Sequence, residues 1–215
     1  MRQITDDLQR YQVIPVSEDY VLFATGDGRD EDRVCKGFAH KFDGDRVNIL
    51  SFKSPLPRET RSTGLASLAV VKQYIEKFAV KRLFWTCDKE HLNESTNWVE
   101  QIRRSLTSFG ITTGIESQWT DAARLELAFG SKFAVLWCAL TGIRVNLEEN
   151  LSELIYLQFH ERVSSDKTEI IDALDRRGLK IEDLIGGATR ENLRLAAPSL
   201  FNVFEDIENF YSARN

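Results

Sequence analysis

Three aspartates lie where apolar segments of this chain begin or end, and carboxylates placed in that way can bind a metal ion. Asp27 follows one apolar run, Asp88 follows a second, and Asp121 precedes a third. Mg²⁺ and Mn²⁺ prefer oxygen ligands. A pair of such ions about 3.5–4 Å apart can activate water and stabilise the leaving oxygen in phosphodiester hydrolysis. The three residues are therefore candidate metal ligands, provided that the fold brings them together.

Each aspartate also has an ordinary structural explanation. Asp27 precedes a glycine, as turn residues often do. Asp88 can begin a loop and cap the next helical turn, and Asp121 can stabilise a helix N-terminus through the helix dipole. Taken singly, each aspartate favours its structural role, and only the three positions taken together strengthen the case for a site.

The spacing of apolar residues predicts the elements that would position these side chains. Alternation and turn sequences predict three antiparallel strands, after which the period changes to about 3.6 and predicts helices. In chain order the predicted elements are strands at 20–24, 34–42 and 47–52, a helix at 65–78, a strand at 82–87, a helix ending at Gly110, a strand at 111–115 and a helix at 120–140. The predicted order is therefore β-β-β-α-β-α-β-α within residues 1–142.

Four short motifs accompany this order of elements. They are Asp27-Gly28 after the first strand, residues 61–71 (RSTGLASLAVV) at the first helix, Thr86-Cys87-Asp88 at the end of a buried strand, and residues 119–124 (WTDAAR) before the last helix. With the element order, they resemble the ribonuclease H-like fold superfamily over about residues 20–140. The resemblance implies an α/β domain with a mixed sheet whose carboxylates hold two divalent ions.

The resemblance assigns Asp27, Asp88 and Asp121 as catalytic metal ligands and implies a nuclease that uses Mg²⁺ or Mn²⁺. The glutamate that the family carries in its first helix is replaced here by Ser67. Glu59 lies about two turns earlier and is a candidate catalytic substitute only if the helix starts differently. The alternative is a catalytically degenerate module that scaffolds a larger assembly or binds nucleic acid or protein. A fourth carboxylate beside the three aspartates would favour the enzyme.

Two other α/β classes fit the sequence less well. A Toprim-type domain needs a glutamate just after its first strand and a D-x-D after a later strand. A Rossmann-like nucleotide-binding module needs G-x-G-x-x-G opening a helix after its first strand. The chain has neither pattern at those positions.

Composition indicates a folded protein of ordinary kind. The 215 residues are 42% hydrophobic and 28% charged, as is usual for globular domains. No apolar run reaches membrane-spanning length and the N-terminus has no apolar secretory segment, so we expect a cytoplasmic protein without a membrane partner. Cys35, Cys87 and Cys138 are far apart, which favours reduced thiols over a disulfide framework.

Charge and periodicity set the C-terminal part of the chain apart. Residues 143–215 carry 9 Lys/Arg and 14 Asp/Glu, which accounts for the whole net charge of −5. Nucleic acid would be repelled by this region and attracted to a local basic excess at 57–82. Predicted helices at 147–162, 167–177 and 190–214, broken near Pro198, make residues 143–215 an acidic helical lobe on which a protein partner or a second copy could pack.

Overall fold

A mixed β-sheet runs through the centre of this computed structural model, which describes residues 2–4, 20–23, 29–42, 49–51, 62–78 and 80–212. The strands of the described residues are β1 (Arg2–Ile4), β2 (Tyr20–Phe23), β3 (Ile49–Ser51), β4 (Arg82–Asp88), β5 (Thr112–Gln118), β6 (Ala122–Phe129) and β7 (Lys132–Thr141). They are arranged in the order β1-β3-β2-β4-β7-β6-β5. The first five strands of that order are parallel, and β5, β6 and β7 form an antiparallel meander.

Strand β4 is buried along its whole length. All seven of its residues are buried, as expected for a parallel strand that is covered by helices on both faces. Because side chains alternate along a strand, Phe84 lies on one face, with Leu83 and Trp85 on the other. A strand held in this way fixes the position of the residue at its end, Asp88.

Helices cover both faces of the sheet. The α-helices of the described residues are α1 (Arg29–Lys41), α2 (Ala69–Phe78), α3 (Trp98–Ser108), α4 (Leu147–Phe159), α5 (Lys167–Asp175), α6 (Ile181–Gly187), α7 (Arg190–Ala196) and α8 (Pro198–Ser212). Helices α1 and α4–α8 share one hydrophobic cluster with one sheet face, and α2 and α3 share a second cluster with the other. Short 3-10 helices span Gly64–Leu68 and Lys89–His91.

Several sequence predictions are confirmed by these elements. The predicted strand at 82–87 is β4, and the predicted helix that ends near Gly110 is α3, whose first turn is capped by Asn97. The predicted C-terminal helices are α4, α5, α7 and α8, with the expected break at Pro198. The fold is thus α/β with a mixed sheet and a helical C-terminal region.

The predicted strand at 34–42 is wrong, because this segment lies in helix α1. Its apparent alternation arises from apolar residues that repeat every three or four positions, and Val34, Phe38 and Phe42 are buried on one face of the helix. Asp30 and Glu31 lie in the first turn of α1, where negative charge is favoured by the helix dipole.

The predicted helix at 120–140 is also wrong, because this segment forms the hairpin of β6 and β7. Its Ala, Leu and Glu content favours a helix by intrinsic propensity. In the hairpin, Leu125 and Leu127 point into the core while Glu126 is exposed, which is the alternation of a strand. Phe129 pairs with Lys132 across a two-residue turn, and Gly130 adopts φ +60° there.

These two corrections change the topology of the sheet. Strands β2 and β3 are parallel, and α1 lies between them in the chain, so the described residues do not form the predicted antiparallel meander. The order β-β-β-α-β-α-β-α is therefore not observed, and the ribonuclease H-like arrangement is not confirmed. The predicted domain boundary between residues 142 and 143 stays a prediction. The C-terminal helices pack directly on the sheet.

None of the helices in the described ranges is long and apolar enough to cross a lipid bilayer. The three cysteines are buried and carry free thiols. Burial raises the pKa of Cys35, with Asp32 and Glu31 adding to the effect, and burial alone raises the pKa of Cys138. These thiols therefore stay protonated at neutral pH and pack as small apolar groups.

Candidate metal site

The carboxyl edge of the sheet brings together residues that are distant in the chain. Strands β2, β4 and β7 are parallel, so their last residues lie at one edge, where α/β proteins commonly bind ligands. Strand β6 is antiparallel to β7, so its first residue lies at the same edge. Asp88 ends β4 and Asp121 immediately precedes β6, which places both at this edge as predicted.

Asp88 joins the end of the sheet to a helix N-terminus. Its side chain is buried, and Oδ1 accepts hydrogen bonds from Thr141 Oγ1 at 2.6 Å and from the Leu147 backbone N–H at 2.9 Å. Leu147 is the first residue of α4, whose N-cap residue, Asn146, makes no side-chain cap. Asp88 therefore caps α4 from the sheet, with its charge favourably placed at the helix dipole.

Two further side chains lie close to the Asp88 carboxylate. One ligand atom each from Asp88, Glu90 and His91 lies within 4.8 Å of the others. Divalent ions bind such atoms at about 2.0–2.6 Å, so donors at this mutual separation can share one ion. Glu90 and His91 are exposed and belong to the 3-10 helix after β4. Asp88, at the end of β4, is the buried member of the cluster.

His91 is positioned by a close backbone approach from Gly64. Gly64 has φ +54°, and a Cβ atom added there would lie 2.9 Å from the His91 Cβ. Both the left-handed backbone and the lack of space require glycine at this position. The start of the first 3-10 helix thus supports one side of the cluster.

Asp121 reaches the same edge but is engaged in a different contact. Its Oδ2 accepts a hydrogen bond from Lys89 Nζ at 2.8 Å, and Lys89 also donates to the Ile143 carbonyl at 3.0 Å. Asp121 is not part of the three-residue cluster described above. In this arrangement it forms an ion pair with Lys89 that ties the end of β4 to the turn between β5 and β6, and its role as a metal ligand stays a prediction.

Ser67, which replaces the glutamate of the resembled family, has a structural role. Its buried hydroxyl donates to the Gly64 carbonyl at 2.6 Å and accepts from Trp85 Nε1 at 2.7 Å. The hydroxyl thereby satisfies the polar atom of a buried tryptophan. Asp27 and Glu59 lie outside the described residues, so their predicted roles as catalytic residues, and that of Asp27 as a metal ligand, also stay predictions.

An open pocket of about 670 Å³ adjoins the cluster. Its lining includes Glu90, Asp121, Lys89, Arg144 and Trp98. Arg144 and Lys89 can attract phosphate oxygens, and the half-buried Trp98 ring offers a surface on which a base could stack. The Trp98 indole is held in place because Nε1 donates to the Thr120 carbonyl at 3.0 Å.

Glu149 holds the loop that carries Arg144. Its Oε2 accepts the backbone N–H groups of Arg144 at 2.6 Å and Val145 at 2.8 Å. Burial acts to raise the pKa of Glu149, but backbone hydrogen bonds, above all from Val145 and Arg144, outweigh it and lower the pKa. The loop also depends on Gly142, whose φ is +95° and where a Cβ would lie 2.4 Å from the Asn146 backbone nitrogen.

Sequence reasoning missed Glu90, His91 and Arg144. The signal for the first two was present, because Asp88-Lys89-Glu90-His91 places three donors directly after a buried strand. Arg144 carried no local signal, since only the parallel pairing of β4 and β7 brings its loop to the pocket.

Comparison of the chain with protein-family models, with curated proteins and with solved structures finds no match. The geometry at the carboxyl edge of the sheet is therefore what supports a function.

Proposed function

We propose that this chain is a metal-dependent nuclease that hydrolyses phosphodiester bonds, with a divalent ion held by Asp88, Glu90 and His91. The observation that carries the proposal is the convergence of three donor atoms within 4.8 Å at the end of a buried central strand. The adjoining pocket adds support. The pocket supplies cationic side chains and a tryptophan beside the cluster, as a nucleic-acid substrate requires.

The donor set favours Mn²⁺ over Mg²⁺. Mg²⁺ binds almost entirely through oxygen, whereas first-row transition ions accept the imidazole nitrogen of a histidine as well as carboxylates. The cluster combines two carboxylates with one imidazole. Zn²⁺ also accepts this set, so Mn²⁺, Mg²⁺ and Zn²⁺ are the ions to compare.

Each residue of the site has a defined task in this proposal. A bound divalent ion would polarise a phosphoryl oxygen and lower the pKa of a water molecule. Asp88 fixes the position of the site because it is anchored to Thr141 and Leu147. Arg144, at the mouth of the pocket, orients the phosphate, and Trp98 limits the movement of the adjacent base. A second ion, as in the two-metal mechanism of the resembled family, would require Asp27 and the release of Asp121 from Lys89.

The proposal is tested by cleavage of labelled nucleic acids. Purified protein is incubated with single-stranded RNA, single-stranded DNA, duplex DNA and an RNA–DNA hybrid in Mn²⁺, Mg²⁺, Zn²⁺ or a chelator. We expect Mn²⁺-dependent cleavage of at least one substrate. Glu90→Gln and His91→Ala should each reduce the rate at least about 100-fold, since loss of a ligand to a catalytic ion removes transition-state stabilisation.

Glu94→Gln is the matched control. Glu94 is an exposed acid of the same loop that lines the pocket but is not part of the cluster. Its variant should keep Mn²⁺-dependent cleavage. Cleavage that survives equally in Glu90→Gln and His91→Ala would show that the activity comes from elsewhere and would refute the proposal.

A non-catalytic module is the second candidate function, and one observation favours it. Asp88 and Asp121 each make contacts that stabilise the fold, with the α4 N-terminus and with Lys89 respectively. Side chains with structural tasks at both positions suit a scaffold or a binding subunit. Binding of Mn²⁺ or of nucleic acid without any cleavage would support this candidate over the nuclease.

A further inference from the structure

A second pocket lies at the opposite edge of the sheet, where β4 and β7 begin. It has a volume of about 630 Å³ and is lined by residues from β4, β5, β6, β7 and α8, among them Arg82, Gly114, Glu126, Phe133, Val135 and Phe210. Because β4 rises about 3.3 Å per residue over seven residues, Arg82 lies about 20 Å from Asp88. The pocket is therefore separate from the candidate metal site.

Arg82 is a buried cation at one end of this pocket. The residue is only 5% exposed. Its guanidinium carbon lies 5.5 Å from the centroid of the Phe210 ring and 5.3 Å from that of the Tyr211 ring. Within the part of the chain that the structure describes, no carboxylate forms an ion pair with it.

Arg124 contacts the same aromatic ring as Arg82, but its charge is neutralised by ion pairs. Its guanidinium also lies over the Phe210 ring, at 5.9 Å, yet it forms ion pairs with both Glu116 and Asp206. Two arginines thus contact one aromatic ring, and of these two only Arg124 has carboxylate partners among the described residues. Buried charges are normally paired because removing an ion from water is costly, and contact with aromatic rings compensates for only part of that cost.

The other residues of the pocket indicate what kind of ligand could bind to Arg82. In the strand register, Val135 lies between Arg82 on β4 and Glu126 on β6. Phe133 is 73% exposed at the pocket rim, and Gly114 leaves room beside the Glu126 carboxylate. Val135 thus places apolar surface between the buried Arg82 and the exposed Glu126 carboxylate. These two charged residues lie two strands apart, at about 10 Å.

We propose that this pocket binds a small molecule that joins one anionic head group, a carboxylate, sulfonate or phosphate, to a flat apolar body. The anion pairs with Arg82, and the apolar body lies on Val135 between the rings of Phe133 and Phe210. At the other end of the pocket, the Glu126 carboxylate weakly repels the anionic head group. The ligand therefore binds in one orientation, with its head group at Arg82. The assignment is independent of the proposed nuclease activity.

The test uses two fluorescent probes of the same shape and different charge. 8-Anilinonaphthalene-1-sulfonate carries one sulfonate, and N-phenyl-1-naphthylamine is its uncharged counterpart. Wild-type protein should bind the anionic probe at one site at least about tenfold more tightly than the neutral probe, since hydrogen bonds to a charged group are the stronger ones. Arg82→Met should remove most of this difference, because the exposed Lys81, which also lines the pocket, can supply only the remainder. Arg82→Lys should restore part of it.

Two variants keep the test decisive even if Arg82→Met proves unstable. Glu126→Gln removes an exposed charge and should tighten the anionic probe about twofold without affecting the neutral one. Arg104→Gln makes the same charge change as Arg82→Met on the exposed side of α3 and should alter neither affinity. Equal affinity of the two probes for wild type, unchanged anionic binding in a folded Arg82→Met, or unchanged anionic binding in Glu126→Gln would each overturn the proposal.

Discussion

At the scale of single residues, Asp88 stabilises the fold and is also a ligand of the proposed metal site. Its Oδ1 already accepts hydrogen bonds from Thr141 and Leu147, and a carboxylate has further lone pairs with which to bind a cation. Asp88→Ala would leave a buried hydroxyl and a backbone N–H without this acceptor. We expect it to lower the free energy of unfolding by about 2–4 kcal/mol.

Asp88→Asn separates the structural task from the metal-binding task. The amide oxygen can still accept both hydrogen bonds, so urea denaturation should show a loss of only about 1 kcal/mol, with Mn²⁺ affinity strongly reduced because a charged ligand is gone. Glu90→Ala, at an exposed position, should leave the denaturation midpoint unchanged. A midpoint for Asp88→Ala equal to that of wild type would show that the two hydrogen bonds do not stabilise the fold.

At the scale of elements, the connection between β7 and α4 depends on a carboxylate in the first turn of α4. The pKa of Glu149 is lowered in the folded chain, so its contribution to stability is present above the ordinary pKa, near 4.5, and is lost as pH falls through the lower folded value. Glu149→Gln should therefore be less stable than wild type at pH 7. The difference should narrow as pH falls below about 4.5.

Thermal melts of both proteins across this pH range measure the effect. Glu148→Gln is the matched control, because Glu148 is the neighbouring acid in the same turn. A stability difference that stays constant from pH 7 to pH 3 would contradict the role of Glu149. It would mean that the ionised carboxylate does not hold the loop at 143–146.

The elements also show what the sequence could and could not predict. Strand β4 was predictable because a continuous apolar run between a helix and a polar loop suits only a buried strand. The segment at 34–42 was not, because apolar residues four positions apart, such as Val34, Phe38 and Phe42, share one face in a strand as well as in a helix. The hairpin of β6 and β7 was missed because helix-favouring residues such as Leu125 and Ala128 were overridden by cross-strand packing.

The candidate site was predictable only in part, because it also depends on the topology of the sheet. Asp88 and Asp121 follow or precede predicted elements, so their positions could be inferred. The direction of each strand, however, decides at which edge of the sheet its terminal residues lie. The sequence placed Asp121 at a helix start, and the structure places it at a strand start on the same edge.

At the scale of the whole molecule, the two edges of one sheet carry different chemistry. The carboxyl edge holds acidic and imidazole donors at Asp88, Glu90 and His91, and the amino edge holds the buried Arg82. Rigid strands connect the two edges, and each site uses its own loops and helices. Arg82→Met should therefore leave binding of Mn²⁺ unchanged, and Glu90→Gln should leave binding of the anionic probe unchanged.

A divalent ion should bind where Asp88, Glu90 and His91 converge, and thermal denaturation in the presence of Mn²⁺ measures this binding. At an Mn²⁺ concentration about 100 times the dissociation constant, the melting temperature should rise by about 5–10 °C. The rise should disappear in Glu90→Gln and in His91→Ala and persist in Glu94→Gln. A melting temperature that Mn²⁺ does not change, or that rises equally in all four proteins, would contradict binding at this site.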